Sequence, residues 1–506
     1  MTNNKINNLD SICSLIKSQK LNGKKIILCH GVFDLLHIGH IKYFEEAKSM
    51  GDTLIVTLTP DQFVNKGKNR PIFQEKYRAE SIAALDCVDF VAINQWDTAI
   101  ETIKLIKPDC YVKGPDYKDV KNDVTGNIKL EANAVVSCGG EIVYTSGITF
   151  SSSSLINLRF SSLSSEQKFF IEKLKGKYTF KEVALYFEKL SKLKVLLVGE
   201  IIIDEYIFCD TIGKSGKEPV LVSKKGKIEK YAGGILAVSS HVSDFCQKGK
   251  VLSYLGDRDV KDNFVKTSLA SNISTDFISK LNSPTIIKTR FIDNYTKSKT
   301  FGVYDLNDEL INEEEEDKLC SKIDSCIQDY DLVIVVDYGH GLISPKVSKL
   351  LQEKSNYLAV NTQLNSSNIG YHSISKYSKA NYVCIHEGEL RHDYRNRSDK
   401  VEHLVENLSE RIESNFILIT QGNKGALAYD NNDFSHCPAY AKNVVDRVGA
   451  GDTLFAITSL CLMAGVPKDL TMFIGNLAAA EMVASIGTGM KLSKTNLLKS
   501  IEAMLK

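Results

Sequence analysis

Two imidazoles stand three residues apart, His37 and His40, in GVFDLLHIGHIKYFEEAK (31–48), within a chain of only ten histidines. They flank Gly39 where an apolar run gives way to helical spacing. At the carboxyl end of a strand and the start of a helix, ring N–H groups and free backbone amides can hold anionic oxygens while charge builds on a phosphorus under attack. Gly31 and Gly39 leave room for the backbone to approach such a ligand. A second pattern, VVDRVGAGDTLFA (444–456), places Gly449, Ala450 and Gly451 at a helix start as an anion cradle. Asp452 follows where a carboxylate can take the proton of a hydroxyl that attacks a γ-phosphate. Both patterns point to chemistry on phosphates.

The elements that must position these groups alternate strand and helix. Over 25–150, KIILC, TLIVTLT, DFVAI, CYVKG and EIVYT are short strand-like runs separated by helical periods, which predicts a doubly wound parallel α/β sheet. The serine-rich SSSSLINLRFSSLSSEQ then changes the composition, and two helices follow at 164–175 and 180–193, the second opening on Thr179 and Glu182 as a capping box. KVLLVGE (194–200) begins a second α/β region with DLVIVVDYG, YLAVNT, NYVCI and FILIT as strands. The EEEED run at 313–317 suits the positive end of a helix. With 506 residues, too many for one core, the reading is an N-terminal extension (1–24), a first domain (25–157), a helical connector (158–193) and a second domain (194–506).

Composition excludes other classes. The chain is 43% hydrophobic and 25% charged with a formal net charge of +1, so no basic excess calls for nucleic acid or an anionic membrane. Twelve scattered cysteines include no CxxC pair, no Cys/His cluster has zinc spacing, and the opening MTNNKINNLD is polar. A cytoplasmic protein with free thiols and no membrane span is expected.

GVFDLLHIGHIKYFEEAKSMGDTLIV resembles the HxGH nucleotidyltransferase superfamily, in its glycerol-phosphate cytidylyltransferase and ADP-heptose synthase branch. TPDQFVNKGKNRPIFQEKYRAESIAALDCVDFV, KPDCYVKGPDY and GGEIVYTSGITFSSSSLI agree. The resemblance implies that a nucleoside triphosphate binds at the HxGH corner, a phosphate of the second substrate attacks its α-phosphate, and pyrophosphate leaves without a covalent enzyme intermediate. It makes His37, His40 and Lys113 catalytic, with Asp116 beside Lys113, and Gly31, Phe33, Asp34 and Gly39 the lining of the corner. It also assigns Lys48 or Lys42 to triphosphate oxygens, Arg78 to the substrate side, and Ser151 and Ser152 to a late triphosphate-holding loop. For Arg78 a helix-surface salt bridge is the alternative.

Residues 194–506 resemble the ribokinase-like sugar kinases, specifically the kinase part of the bifunctional ADP-heptose synthases, in which the kinase comes first; here the order is reversed. By that resemblance Asp204 in VGEIIIDEYIF, Gly233 and Gly234 in YAGGILAVSSHV, and Asp337 in VVDYGHGLI face the sugar, while Gly422 in LITQGNKGALAY lies on the nucleotide side. Arg290 in IIKTRFI is a sugar-phosphate contact or a β-edge arginine facing water. Three positions depart from the family pattern: Ala237 for an asparagine, His340 for a lysine, and His386 for the asparagine of NxxE, whose metal-associated Glu389 is kept. His340 reads equally as a ligand contact or a structural histidine.

The implied function is phosphorylation of a sugar or sugar phosphate, heptose 7-phosphate-like, then nucleotidyl transfer to it, with Mg2+, ATP for the kinase and ATP or CTP for the transferase. The alternative is a cytidylyltransferase making a CDP-linked sugar or polyol, with a kinase-like domain that only binds ligand or mediates assembly. A homodimer without nucleic acid or membrane partners is expected.

Overall fold

The computed structural model describes residues 5–64, 71–114, 127–146, 163–258, 260–441, 444–484 and 491–505. The chain divides into Met1–Ser162 with Leu498–Lys506, and Leu163–Leu497.

In the first unit β1 (Ile26–Gly31), β2 (Thr53–Leu58), β3 (Phe90–Ile93), β4 (Cys110–Lys113) and β5 (Glu141–Tyr144) form a parallel sheet in the order β3-β2-β1-β4-β5. Alternate residues of a strand point to opposite faces, and both faces are covered. Ile27, Cys29, Leu54 and Val56 pack with Phe44, Ala47, Ala79 and Ile82 from the helices Ile38–Lys48 and Glu75–Ala83. Ile26, Leu28 and Ile55 pack on the other face with Ile12, Ile16, Ile103 and Val135. Two of these come from the helix Leu9–Leu21, capped by Asn8, so the segment ahead of residue 25 contributes to the core. Strand order reverses between β1 and β4, which opens a crevice at their carboxyl ends.

The second unit begins with the helices Ser165–Lys175 and Phe180–Leu190, each with a capping box. They pack on this unit: Phe187 meets Phe245 with ring centroids 6.1 Å apart, and the Tyr178 hydroxyl donates to Asp469 at 2.7 Å. The strands are β6 (Lys194–Gly199), β7 (Ile201–Lys214), β8 (Leu221–Gly234), β9 (Lys248–Gly256), β10 (Ile273–Lys280), β11 (Ile286–Asp293), β12 (Lys299–Asp305), β13 (Leu332–Asp337), β14 (Leu358–Thr362), β15 (Tyr382–His386), β16 (Phe416–Thr420), β17 (Ala426–Asp430) and β18 (Asp433–Cys437). Nine form a sheet ordered β10-β9-β6-β13-β14-β15-β16-β17-β18, parallel as far as β16. The other four form a separate sheet, β12-β11-β7-β8. Its register sets Lys288 beside Asp204 and Tyr304, and Arg290 beside Tyr206, on one pleated face. A bulge between Phe291 and Ile292 pairs Ile292 with Lys299 and brings that lysine to the same face. The acidic run at 313–317 opens the helix Glu313–Asp324, with Asn312 and Glu315 as its capping box. No helix among the described residues is long and apolar enough to cross a membrane.

Candidate active sites

His37 is the N-cap of the helix Ile38–Lys48, and its Nδ1 accepts the Gly39 amide hydrogen at 3.1 Å. A neutral ring whose Nδ1 accepts carries its proton on Nε2, so that nitrogen is a donor. His40 stacks on His37 with centroids 3.9 Å apart and meets the edge of Phe33 at 5.3 Å. Phe33 has φ +46°, uncommon for a bulky residue, and its ring lies over Gly31, where a Cβ would stand 3.0 Å from it. The Asp34 carboxylate accepts the amides of Ile72 (2.6 Å) and Phe73 (3.2 Å). Gly31, Phe33, Asp34, His37, Gly39 and His40 therefore gather at the carboxyl end of β1.

Lys113 closes β4, buried, with its ammonium 2.9 Å from Glu131. Glu131 also accepts from the Tyr111 hydroxyl at 2.9 Å. Burial alone would raise the Glu131 pKa, yet the charge and hydrogen bond of Lys113 hold it below the ordinary range. His30, which the sequence reading passed over, sits buried between Thr57 (2.9 Å) and Thr59 (3.3 Å). Burial, then the nearby Lys113 charge, push it down to about 4, so it is neutral beneath the corner. Its place at the end of β1, directly before GVFD, was the available signal.

Three basic residues stand elsewhere than the resemblance implied. Lys48 lies at the far end of its helix, about 15 Å from the corner at 1.5 Å per residue, where it binds Asp89 at 2.5 Å. Lys42 pairs with Glu45 at 2.8 Å on the surface. Arg78 is 2% exposed and donates to the carbonyls of Phe73 (3.0 Å), Val32 (2.5 Å) and Thr59 (2.9 Å) and to Asp61 (2.5 Å). It is an internal strut joining the exits of β1 and β2, neither a surface pair nor a free substrate contact. Ser151, Ser152 and Asp116 lie outside the described residues.

In the second unit the helix Ala450–Met463 starts from Gly449, whose φ of +81° favours glycine. No atom stands within 4 Å of where a Gly451 Cβ would point, so the space beside that residue is open, while the Ala450 amide donates to the Arg447 carbonyl at 3.4 Å. Asp452 is buried beside the Tyr338 hydroxyl, and Gln363 donates to it at 3.4 Å. Burial pushes its carboxyl up to about 6, with Tyr338 and Lys288 acting to lower it and Asp204 to raise it. Asp204 pairs with Arg290. Arg290 is thus on the inner face of the four-stranded sheet, not a water-facing edge. Gly233 lies against the same aspartate: its Cβ would stand 2.4 Å from Asp204 Oδ2. Gly234, at φ +58°, caps the next helix, in which Ala237 is buried and offers no polar atom.

Asp337, expected to face the sugar, is fully buried, bonded to the Tyr377 hydroxyl (2.8 Å), the Gly339 amide (3.2 Å) and the Lys376 ammonium. Glu200, which sequence reasoning missed, is raised to about 7 by burial and by Asp337, and accepts the amides of Tyr338 (3.1 Å) and His340 (3.0 Å). Together these carboxylates brace the turn that presents Tyr338. His340 is buried with Nδ1 2.6 Å from Asp308, and burial lowers it to about 4. His386 caps the helix Glu387–Asp393 by accepting the Gly388 amide hydrogen at 3.0 Å. Glu389 accepts the amides of His386 (2.7 Å) and Leu364 (3.1 Å), and burial with the nearby Asp452 charge raises it to about 7. Gly422 turns the chain after β16 at φ +60°.

Comparisons with known proteins follow the same division. The pfkB family carbohydrate kinase pattern matches residues 192–495, and the cytidylyltransferase-like pattern residues 28–157. The bifunctional protein HldE of Geobacter metallireducens is 44% identical over 135 residues, 25% of this chain and 28% of that protein. Its counterpart in Campylobacter jejuni is 49% identical over 117 residues, 23% and 25% of the two chains. The matched region spans about a quarter of these relatives' length. The structure of phosphofructokinase-2 from Escherichia coli in complex with fructose-6-phosphate shares the fold, with TM-score 0.50 and 14% identity over 62% of this chain and 99% of that one.

Proposed function

The chain belongs to the pfkB carbohydrate kinase family and carries a cytidylyltransferase-like domain ahead of the kinase, and we propose that it is a bifunctional enzyme of nucleotide-sugar synthesis. The kinase phosphorylates a sugar or sugar phosphate of the heptose 7-phosphate kind at its anomeric hydroxyl, and the transferase couples that phosphate to a nucleotide from ATP or CTP. The observation that supports this reading is that each unit brings its own candidate residues together, the stacked His37–His40 pair in one and the Gly449–Gly451 turn leading to Asp452 in the other.

In the transferase corner the His37 Nε2–H and the helix-start amides would donate to phosphate oxygens as negative charge grows on the α-phosphate. In the kinase, Asp452 would take the proton of the attacking hydroxyl, and the positive start of the helix it opens would favour the negative charge of the transferring phosphoryl group. Among the described residues no group of three or more His, Cys, Asp or Glu could hold a metal. A magnesium ion would be held mainly by nucleotide phosphates, with the Glu389 carboxylate, which lies near Asp452, the side chain that would add a ligand once ionised. Such an ion supplies neutralisation of the triphosphate. The free thiols of all twelve cysteines suit a cytoplasmic setting. A homodimer is part of the proposal, supported by Phe301, Val303 and Ile228 exposed on the four-stranded sheet.

Incubation with magnesium, ATP, CTP and D-glycero-D-manno-heptose 7-phosphate, followed by mass spectrometry, tests both steps at once. An ADP- or CDP-heptose mass supports the reading and fixes the nucleotide. Sugar binding without turnover would favour the kinase-like domain as a binding module, a reading that the buried, apolar Ala237 keeps in view.

A further inference from the structure

The segment that leaves β14, residues 363–372, brings neutral side-chain amides onto the groups that surround Asp452. Gln363 comes first, half-buried, with its backbone amide donating to the Asp337 carbonyl at 2.9 Å. Its side-chain Nε2 donates to Asp452 Oδ1 at 3.4 Å. The next backbone amide, of Leu364, donates to Glu389 Oε1 at 3.1 Å. Two successive residues therefore tie the proposed base and the proposed metal-side carboxylate to the end of one strand.

The rest of the segment fastens the other neighbour of the base. The Asn365 and Asn368 carboxamides both donate to the Tyr338 carbonyl, at 2.9 and 2.8 Å. His372 Nε2 donates to the Asp337 carbonyl at 3.0 Å. Gly339, next to Tyr338, sits so close to these groups that a Cβ there would stand 2.5 Å from Asn368 Nδ2. The Tyr338 hydroxyl lies beside Asp452, so this stretch of chain grips the base directly through Gln363 and indirectly through Tyr338.

The titratable groups facing Asp452 are Tyr338, Asp204, Lys288, Glu389 and the Cys384 thiol. Asp204 is held by Arg290, and Glu389 by backbone amides. A cation bonded to the base would suppress its affinity for a proton, and another acid would repel it. A carboxamide holds one oxygen without adding charge and leaves the carboxyl able to gain and lose its proton.

We propose that Gln363 is a positioning residue of the kinase, its carboxamide fixing the Asp452 carboxylate in the orientation that receives the acceptor hydroxyl's proton. This rests on the kinase half of the proposed function and goes beyond it by assigning a residue that acts through the base.

The test compares Gln363→Met, which keeps length and loses the donor, with Gln363→Glu, which donates only while protonated, both in the full-length protein. ADP release with D-glycero-D-manno-heptose 7-phosphate is followed from about pH 5 to about pH 9, and scanning calorimetry tracks the kinase transition across pH. Gln363→Met should lower kcat about tenfold and keep the sugar KM within about twofold, because the sugar still binds and the base is misaimed. Its acid limb should move about one pH unit alkaline, since a donor to the carboxylate is gone. In calorimetry the loss of stability with rising pH, which in the parent runs up to about 6, should extend about one unit further. Gln363→Glu should stay active while the two carboxyls share one proton and lose activity as the second ionises, turning the parent's plateau into a bell. In an Asp452→Asn background, Gln363→Met should leave the pH dependence of stability unchanged. A Gln363→Met protein with the parental kcat and acid limb overturns the proposal. So does a melting temperature that falls as far in the Asp452→Asn background as in the parent, which would make the glutamine a packing residue. A parent that releases no ADP sinks the kinase reading, and the calorimetric shift or its absence then still decides whether Gln363 holds the carboxyl.

Discussion

Asp452→Asn should abolish sugar phosphorylation and make the kinase unit more stable, and the two effects have one cause. The carboxyl is held at about 6 against an ordinary 3.8, chiefly by burial. A group whose folded pKa is raised favours folding while protonated, so stability is lost as pH climbs from about 4 to about 6. That loss amounts to about 3 kcal/mol at 1.36 kcal/mol per pH unit. Asparagine, neutral and of the same shape, escapes it. The variant should exceed the parent by up to about 3 kcal/mol at pH 7.5, a margin that fades below pH 4. Its phosphoryl transfer should fall by about 10²–10⁴, the range of general-base contributions. In the parent, kcat/KM should climb about tenfold per pH unit up to roughly 6 and then level off. ADP release across pH and scanning calorimetry at pH 7.5 and 4, with the transitions of the two units resolved, provide the assay. A parent at full rate at pH 5, or a variant no more stable at neutral pH, would refute the argument from burial.

Other substitutions probe the remaining contacts. His40→Ala should cut pyrophosphate release by about 10²–10³ while sparing sugar phosphorylation; loss of both with the fold intact would count against separate sites. Arg78→Met should cost about 3 kcal/mol or more by stranding buried carbonyls and Asp61, and Arg78→Lys should recover little, because one ammonium cannot serve acceptors placed for a planar fork; urea unfolding followed by circular dichroism reads both. Asp446 joins the four-stranded sheet to the turn before Gly449, accepting from Lys299 (2.7 Å), the Tyr206 hydroxyl (2.9 Å) and the Val448 amide (3.2 Å). Lys299→Met should therefore lower kinase kcat by about tenfold through misplacement of the turn, with Lys299→Arg restoring most of it; an unchanged kcat would make the contact ornamental.

The parallel sheet of the first unit was legible because its strands are apolar on both faces and alternate with helices, which leaves few other folds. The corner residues at 31–40 were legible for a related reason: they are local in sequence, so one strand–turn–helix places them all. What could not be read was where a long side chain ends. Lys48 fits a phosphate contact by type, but three helical turns carry it to the opposite edge of the sheet. Asp337 lies on the right strand, yet partners from 39 and 40 residues further on, Lys376 and Tyr377, bury it. The same limit hid Glu200 and Gln363: each becomes noticeable only when the tertiary structure shows which groups it meets.

His386, read in the sequence as a departure, turns out to keep the local geometry that an asparagine would give. In both residues the acceptor atom, Oδ1 or Nδ1, is three bonds from Cα, and His386 Nδ1 takes the Gly388 amide hydrogen at 3.0 Å as a helix N-cap should. His37 does the same to Gly39 at 3.1 Å, in a second His-x-Gly stretch. A histidine used in this way caps with one nitrogen and is left with an Nε2–H that an asparagine cap does not supply. The two duties of His37 can therefore be separated. His37→Asn keeps the cap and removes the donor; His37→Ala removes both. If the donor serves the α-phosphate, both variants should lose about 10²-fold or more in pyrophosphate release, but only the alanine variant should also lose about 1 kcal/mol of stability from the unmade cap. Should His37→Asn retain full nucleotidyl transfer, the ring would be a cap alone, and the charge stabilisation assigned to it would have to come from His40 and the helix amides.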